Sequence, residues 1–132
     1  MTNWEAGLFN PGADAWQFLD DNFEIVVPGT IAEPNAHWLR IARDTMTAID
    51  QYHAAARQYL DAFVDRNRFA NGSEWEAEFV EFGNADSLQN IRFTLYYRVA
   101  GDEYGLWSVA FHPTGLPTPN DLYPVRLARQ QQ

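Results

Sequence analysis

IRFTLYYRVAGDEYGLWSVAFH, residues 91–112, reads as two extended strands joined by a short connection. Ile91, Phe93, Leu95, Tyr97 and Val99 fall on one face of a strand, and Arg92, Thr94, Tyr96 and Arg98 on the other. Trp107, Val109 and Phe111 repeat the alternation after Gly101-Asp102-Glu103-Tyr104-Gly105. A register with Val99 opposite Trp107, Tyr97 opposite Val109 and Leu95 opposite Phe111 puts six apolar side chains together. A slip by one residue would expose one strand's apolar set to water, so the choice of face is strongly specified. The two glycines give the connection its backbone freedom.

Outward from this hairpin, Trp75 to Phe82 alternates as well, with Trp75, Ala77 and Phe79 on one face and Glu76 and Glu78 on the other. Pairing with the central strand predicts Glu76 opposite Arg98 and Phe79 opposite Leu95. The intervening Gly83–Asn90 is polar and rich in Gly, Asn and Asp, as a hairpin connection should be. Asn35 to Phe69 reads as one long helix with Asn35 as N-cap. Trp38, Ile41, Thr45, Ile49, Tyr52, Ala56, Tyr59 and Phe63 form its apolar stripe, and Leu60 and Val64 widen the end. A helix of that length overhangs a small sheet, so a break near Tyr52 is one option. Arg40/Asp44 and Arg57/Asp61 are spaced for ion pairs. Phe23 to Val27 reads as a short strand, and Asp14 to Asp21 as a helical turn or two with Trp16 and Leu19 inward. Met1 to Gly12 is expected as a short edge strand or a docked arm. Pro113, Pro117, Pro119 and Pro124 exclude a central strand from the tail, where Tyr123, Val125 and Leu127 predict an edge strand. The expectation is one α+β domain over residues 1–132: an antiparallel sheet of four to five strands with one long helix packed on one face.

The 132 residues suffice for one core. The absence of cysteine excludes disulfides and thiol chemistry. No basic region leads into an apolar run near Met1, so no signal peptide is expected and the location is expected to be cytoplasmic. No apolar run reaches the length of a membrane span. The net charge of −9 is uneven: residues 1–39 carry −6 and residues 70–86 carry −5, while 40–69 and 87–132 each carry +1. Nucleic acid and anionic membrane surfaces are therefore poor partners, and a basic protein a good one. Acidity also simply keeps a small domain in solution.

Motifs for chemistry are sparse. His37, His53 and His112 lie at no metal-binding spacing. Ser73, Ser87 and Ser108 sit in no nucleophile motif. Asp102 and Glu103 between Gly101 and Gly105 would repel a phosphate. No cofactor or metal is expected. Glu74, Glu76, Glu78 and Glu81 are the densest acids; paired carboxylates of this kind serve acid/base chemistry or, with Arg92 and Arg98 across the strand, merely balance charge. Tyr97 and Trp107 read as core, Tyr96 points to the other face, and Tyr104 sits in the connection beside acids, a pairing common at protein interfaces.

The segment Gly101 to Phe111, GDEYGLWSVAF, resembles the acid–aromatic–glycine–leucine turn leading into an alternating strand found in several small bacterial immunity-type families. In those families a β-strand, a long helix and a β-meander accompany it, the layout expected here. The resemblance implies a non-enzymatic protein that neutralises a cognate toxin, delivered by contact-dependent or type VI systems, by binding it. The partner would carry a basic surface, and the contact residues expected here are Asp102, Glu103, Tyr104, Glu76, Glu78, Asp20 and Asp21. Two other readings remain: a small-ligand-binding or enzymatic domain with an aromatic-lined pocket, and a self-associating secretion-accessory module.

Overall fold

A computed structural model of the chain describes residues 3–12, 14–19, 23–69, 74–83, 92–113 and 122–131. It is an α+β structure with a six-stranded sheet: β1 (Ala15–Leu19), β2 (Glu24–Pro28), β3 (Trp75–Phe82), β4 (Phe93–Val99), β5 (Gly105–Pro113) and β6 (Leu122–Gln131), in that spatial order. Helices α1 (Ala36–Thr47) and α2 (Ile49–Phe63) lie between β2 and β3 in the chain. Because the helix pair carries the chain back along the sheet, β2 and β3 run parallel, while every other neighbouring pair is antiparallel. The sheet is thus mixed and has more strands than the four to five antiparallel ones expected.

The helical region ends and breaks where local hydrogen bonding dictates. The Asn35 side chain accepts from the Trp38 N–H at 3.1 Å, the expected N-cap. The single long helix is in fact two, divided at Ala48 (φ −120°, ψ 21°) rather than near Tyr52. Just before the break, the Thr45 hydroxyl donates to the Ile41 carbonyl at 2.8 Å and the Thr47 hydroxyl to the Asp44 carbonyl at 2.7 Å. Side chains that bond back to the preceding turn in this way bend helices. α2 stops at Phe63, and Arg66–Arg68 form a separate 3₁₀ turn. The buried stripe is Ala42, Thr45, Met46, Ile49, Tyr52, Ala56 and Leu60. Phe63 lies off it, 71% exposed. Asp61 meets Arg66 and the Trp75 indole N–H, at 2.9 and 2.8 Å, instead of Arg57.

The hairpin holds its predicted faces but sits two residues from the predicted register: Phe93 pairs with Phe111, Leu95 with Val109 and Tyr97 with Trp107. A shift of two preserves the faces, so the same side chains still enter the core. On β3, Glu76 does face Arg98, and Trp75 faces Val99. A bulge between Ala77 and Phe79 then moves the register by one, so that Phe79 faces Tyr96 and Val80 faces Leu95. Phe79 consequently leaves the core face and stacks on Tyr96, with ring centroids 4.1 Å apart. Asp14–Asp21 contains the strand β1, not a helical turn; Ala15–Leu19 pairs with β2 along its length. The N-terminal segment is a docked arm: Trp4 is buried, and Phe9 bridges to Gln17. The tail forms the expected edge strand, extended to Gln131. The predicted connection at Gly83–Asn90 lies outside the described residues after Gly83.

Against the helices the sheet packs Ile25, Val27, Trp75, Val80, Phe82, Phe93, Leu95, Tyr97, Trp107, Val109 and Phe111. Thr94, Tyr96, Leu106, Ser108 and Ala110, on the opposite face of β4 and β5, are buried too, outside that cluster. Tyr96 is therefore no exposed interface residue; its hydroxyl donates to Glu81 at 3.2 Å beside the Phe79 ring. Because the true stripe runs through Leu60 and not Phe63, Leu60→Ala should cost about 2–5 kcal/mol in urea-induced unfolding, whereas Phe63→Ala should change stability by no more than about 0.5 kcal/mol.

Candidate functional site at the end of the sheet

The connection from Val99 to Gly105 closes through two successive turns. The Asp102 N–H donates to Val99 and the Gly105 N–H to Asp102, at 3.1 and 3.2 Å. Gly101 adopts φ +94°, a conformation that a side chain would strain. Asp102 is 9% exposed, and its carboxylate is fully engaged: Arg129 on β6 donates to it at 2.9 and 2.6 Å, and the Trp107 indole N–H at 2.7 Å. The bonded Arg129 guanidinium holds the Asp102 carboxyl below the usual carboxylate range, and the Trp107 bond acts in the same sense against burial. A Cβ on Gly105 would collide with that carboxylate.

Asp102 therefore does not offer its carboxylate outward; it fixes the turn that does. Glu103 and Tyr104 project from that turn, with Tyr104 57% exposed. Glu76 is exposed and pairs with Arg98, the residue before Val99, so it lies next to the turn. The Arg98 Nε lies 3.1 Å from Glu78 at the bulge, and Nη1 donates to the Gly105 carbonyl at 3.3 Å. Both side chains of that ion pair are substantially exposed, so it contributes little to stability. Four of the seven expected contact residues, Glu76, Glu78, Glu103 and Tyr104, thus share one end of the sheet. Asp20 and Asp21 lie outside the described residues.

Glu24 was not singled out from the sequence. The parallel pairing of β2 with β3 sets it opposite Phe79, beside the bulge. Burial, and secondarily the charge of Glu78, raise its pKa. No hairpin arithmetic could have found it, because its neighbour comes from the far side of the helix pair.

No family model, curated protein or solved structure matches the chain. Among the described residues no group of three or more His, Asp or Glu is placed to hold a metal ion. A hollow of about 380 Å³ opens between the N-terminal arm and α1, lined by Trp4, Glu5, Arg43, Met46 and Thr47. Glu5 and Arg43 pair across it at 2.7 Å, and its described lining includes no histidine. His53, on α2, faces Tyr97 of the core instead. No helix among the described residues is long and apolar enough to cross a membrane.

The Asp102 pKa is depressed in the fold, so the stabilisation is present above the unfolded carboxylate pKa of about 3.9 and is lost as pH falls through the lower folded value. Asp102→Asn and Arg129→Ala should each lower Tm at pH 7. Because the two residues act as one unit, the double variant should melt close to the worse single variant and not at the sum of the two losses.

Proposed function

We propose that the chain is a non-enzymatic binding protein that presents the acid- and tyrosine-bearing end of its sheet to a basic protein. In the most concrete form it is an immunity protein that covers the cationic active-site cleft of a cognate toxin. One observation carries this reading: the Asp102–Arg129–Trp107 cluster consumes Asp102, the one buried acid among the described residues, and leaves Glu103 and Tyr104 projecting from a braced turn. Such a turn loses little conformational freedom on binding.

Charge distribution supports the same reading. Glu76 and Glu103 are exposed, Glu78 is shared with Arg98 at the surface, and the chain as a whole carries −9. An acidic surface of this kind accelerates encounter with a cationic partner, while an exposed tyrosine beside it supplies apolar area at low entropic cost.

Titration against the product of a toxin-like gene adjacent to this chain's own gene tests the proposal. The expected result is a Kd of about nanomolar order that weakens as salt is raised. The Glu76→Lys/Glu103→Lys double variant should bind at least about tenfold more weakly, chiefly through a slower on-rate, and Tyr104→Ala should act chiefly on the off-rate. Absence of binding to any such neighbour, or binding indifferent to these three residues, overturns it.

A further inference from the structure

We propose that the His53 imidazole, seated against Tyr97 and Phe23, is an acid-operated catch, holding α2 to the sheet at neutral pH and releasing it in an acidified medium. The His53 Nδ1 lies 2.6 Å from the Tyr97 hydroxyl. Tyr97 is fully buried in β4, between the cross-strand neighbours Ala77 and Trp107. The imidazole is walled by two aromatic edges, with centroids 5.7 Å from both Phe23 and Tyr97. This polar contact is set among aromatic rings; α2 meets the sheet through polar groups also at Trp75, whose carbonyl accepts from Arg57 at 3.4 Å and whose indole donates to Asp61 at 2.8 Å.

Among the described residues, the charged groups facing the His53 ring are few. From α2 itself come Arg57, whose guanidinium stands 5.9 Å from the centroid of the Tyr97 ring, and Asp50. β4 contributes the Tyr97 phenol, and the described part of the segment entering β2 contributes the Phe23 ring. A neutral imidazole suits this setting, because one ring nitrogen donates and the other accepts, whichever tautomer is present. A protonated ring has only donors. It would place a second cation near Arg57, opposed among the described residues by Asp50, in a half-buried site. The ring regains water when α2 lifts from the sheet, which breaks the contacts to Tyr97 and Phe23 together.

Burial first, and the Arg57 charge second, push the His53 pKa from 6.5 down to about 4. The proton therefore binds the released form more tightly than the closed one. The catch is fully engaged above the unfolded histidine pKa of about 6.5. Below it, the closed-to-open ratio falls by up to about tenfold per pH unit until pH is near 4. The Asp102 cluster is also acid-sensitive, but its window lies lower, below the ordinary carboxylate pKa.

An NMR titration from pH 7 to pH 4, following the His53 ring and the α2 amide exchange rates corrected for intrinsic chemistry, tests the catch. The exposed His37 ring serves as reference. The expected result is an imidazole that stays neutral well below pH 6 and α2 exchange that accelerates by up to about tenfold per pH unit below pH 6.5, ahead of the β4–β5 amides. In His53→Gln that acceleration should vanish. Should that variant fail to fold, Tyr97→Phe, which keeps a buried imidazole, should retain the acceleration from a lower starting stability. A His53 ring that titrates near pH 6.5 with α2 exchange unchanged overturns the proposal, as does undiminished acid release in His53→Gln or its loss in Tyr97→Phe.

Discussion

A single extra residue, Glu78, governs how this sheet is dressed. Without the bulge at Ala77/Phe79, strict alternation would carry Trp75, Ala77, Phe79 and Glu81 to the helix side and leave Val80 and Phe82 outside. With it, Trp75 and Val80 both reach the core, at 3% and 0% exposure, and Glu81 turns outward to receive the Tyr96 hydroxyl. The bulge also provides an aromatic lid for the far side: Phe79 lies flat on Tyr96, and the central strands are closed on both faces. Three apolar positions, Phe79, Val80 and Phe82, depend on one insertion that contributes no packing of its own.

The same economy holds at the neighbouring turn. A buried carboxylate is tolerated only where hydrogen bonds and an opposite charge offset its lost hydration. Asp102 has both, from Arg129 and Trp107, and Arg129 also stands 5.9 Å from the Trp107 ring centroid. The cluster joins the β4–β5 turn to the last strand. β6, whose far edge has no strand neighbour in the sheet, is thereby anchored at its C-terminal half by charge as well as by the ladder.

What could be read from the sequence was what depends on near neighbours. The faces of β4 and β5, the Glu76–Arg98 pairing, the Asn35 cap and the confinement of the proline-bearing tail to an edge all follow from spacing alone. Long-range choices did not. Trp16 and Leu19, three residues apart, mimic a helical turn, yet Ala15–Leu19 is a strand because β2 offers it a full ladder. The direction of β2 against β3 is set by the helix pair between them, and apolar alternation carries no sign of direction. Asp102 looks like a surface acid because its partner lies 27 residues further on. The register error of two is invisible to any argument from faces, since both registers bury the same side chains.

The parallel pairing has an electrostatic consequence that bears on the end of the sheet. It sets Glu24 beside Glu78, where burial and like charge both disfavour ionisation of Glu24. Arg98 meets Glu78 and donates to the Gly105 carbonyl. The exposed Glu78 keeps its ion pair with Arg98 while its charge repels Glu24. Retained repulsion of this kind is relieved when a cation arrives from outside. In the proposed function, that relief would add to binding without any new apolar contact. Under the function proposed for the adjoining turn, the repulsion between Glu24 and Glu78 is what a basic surface would offset.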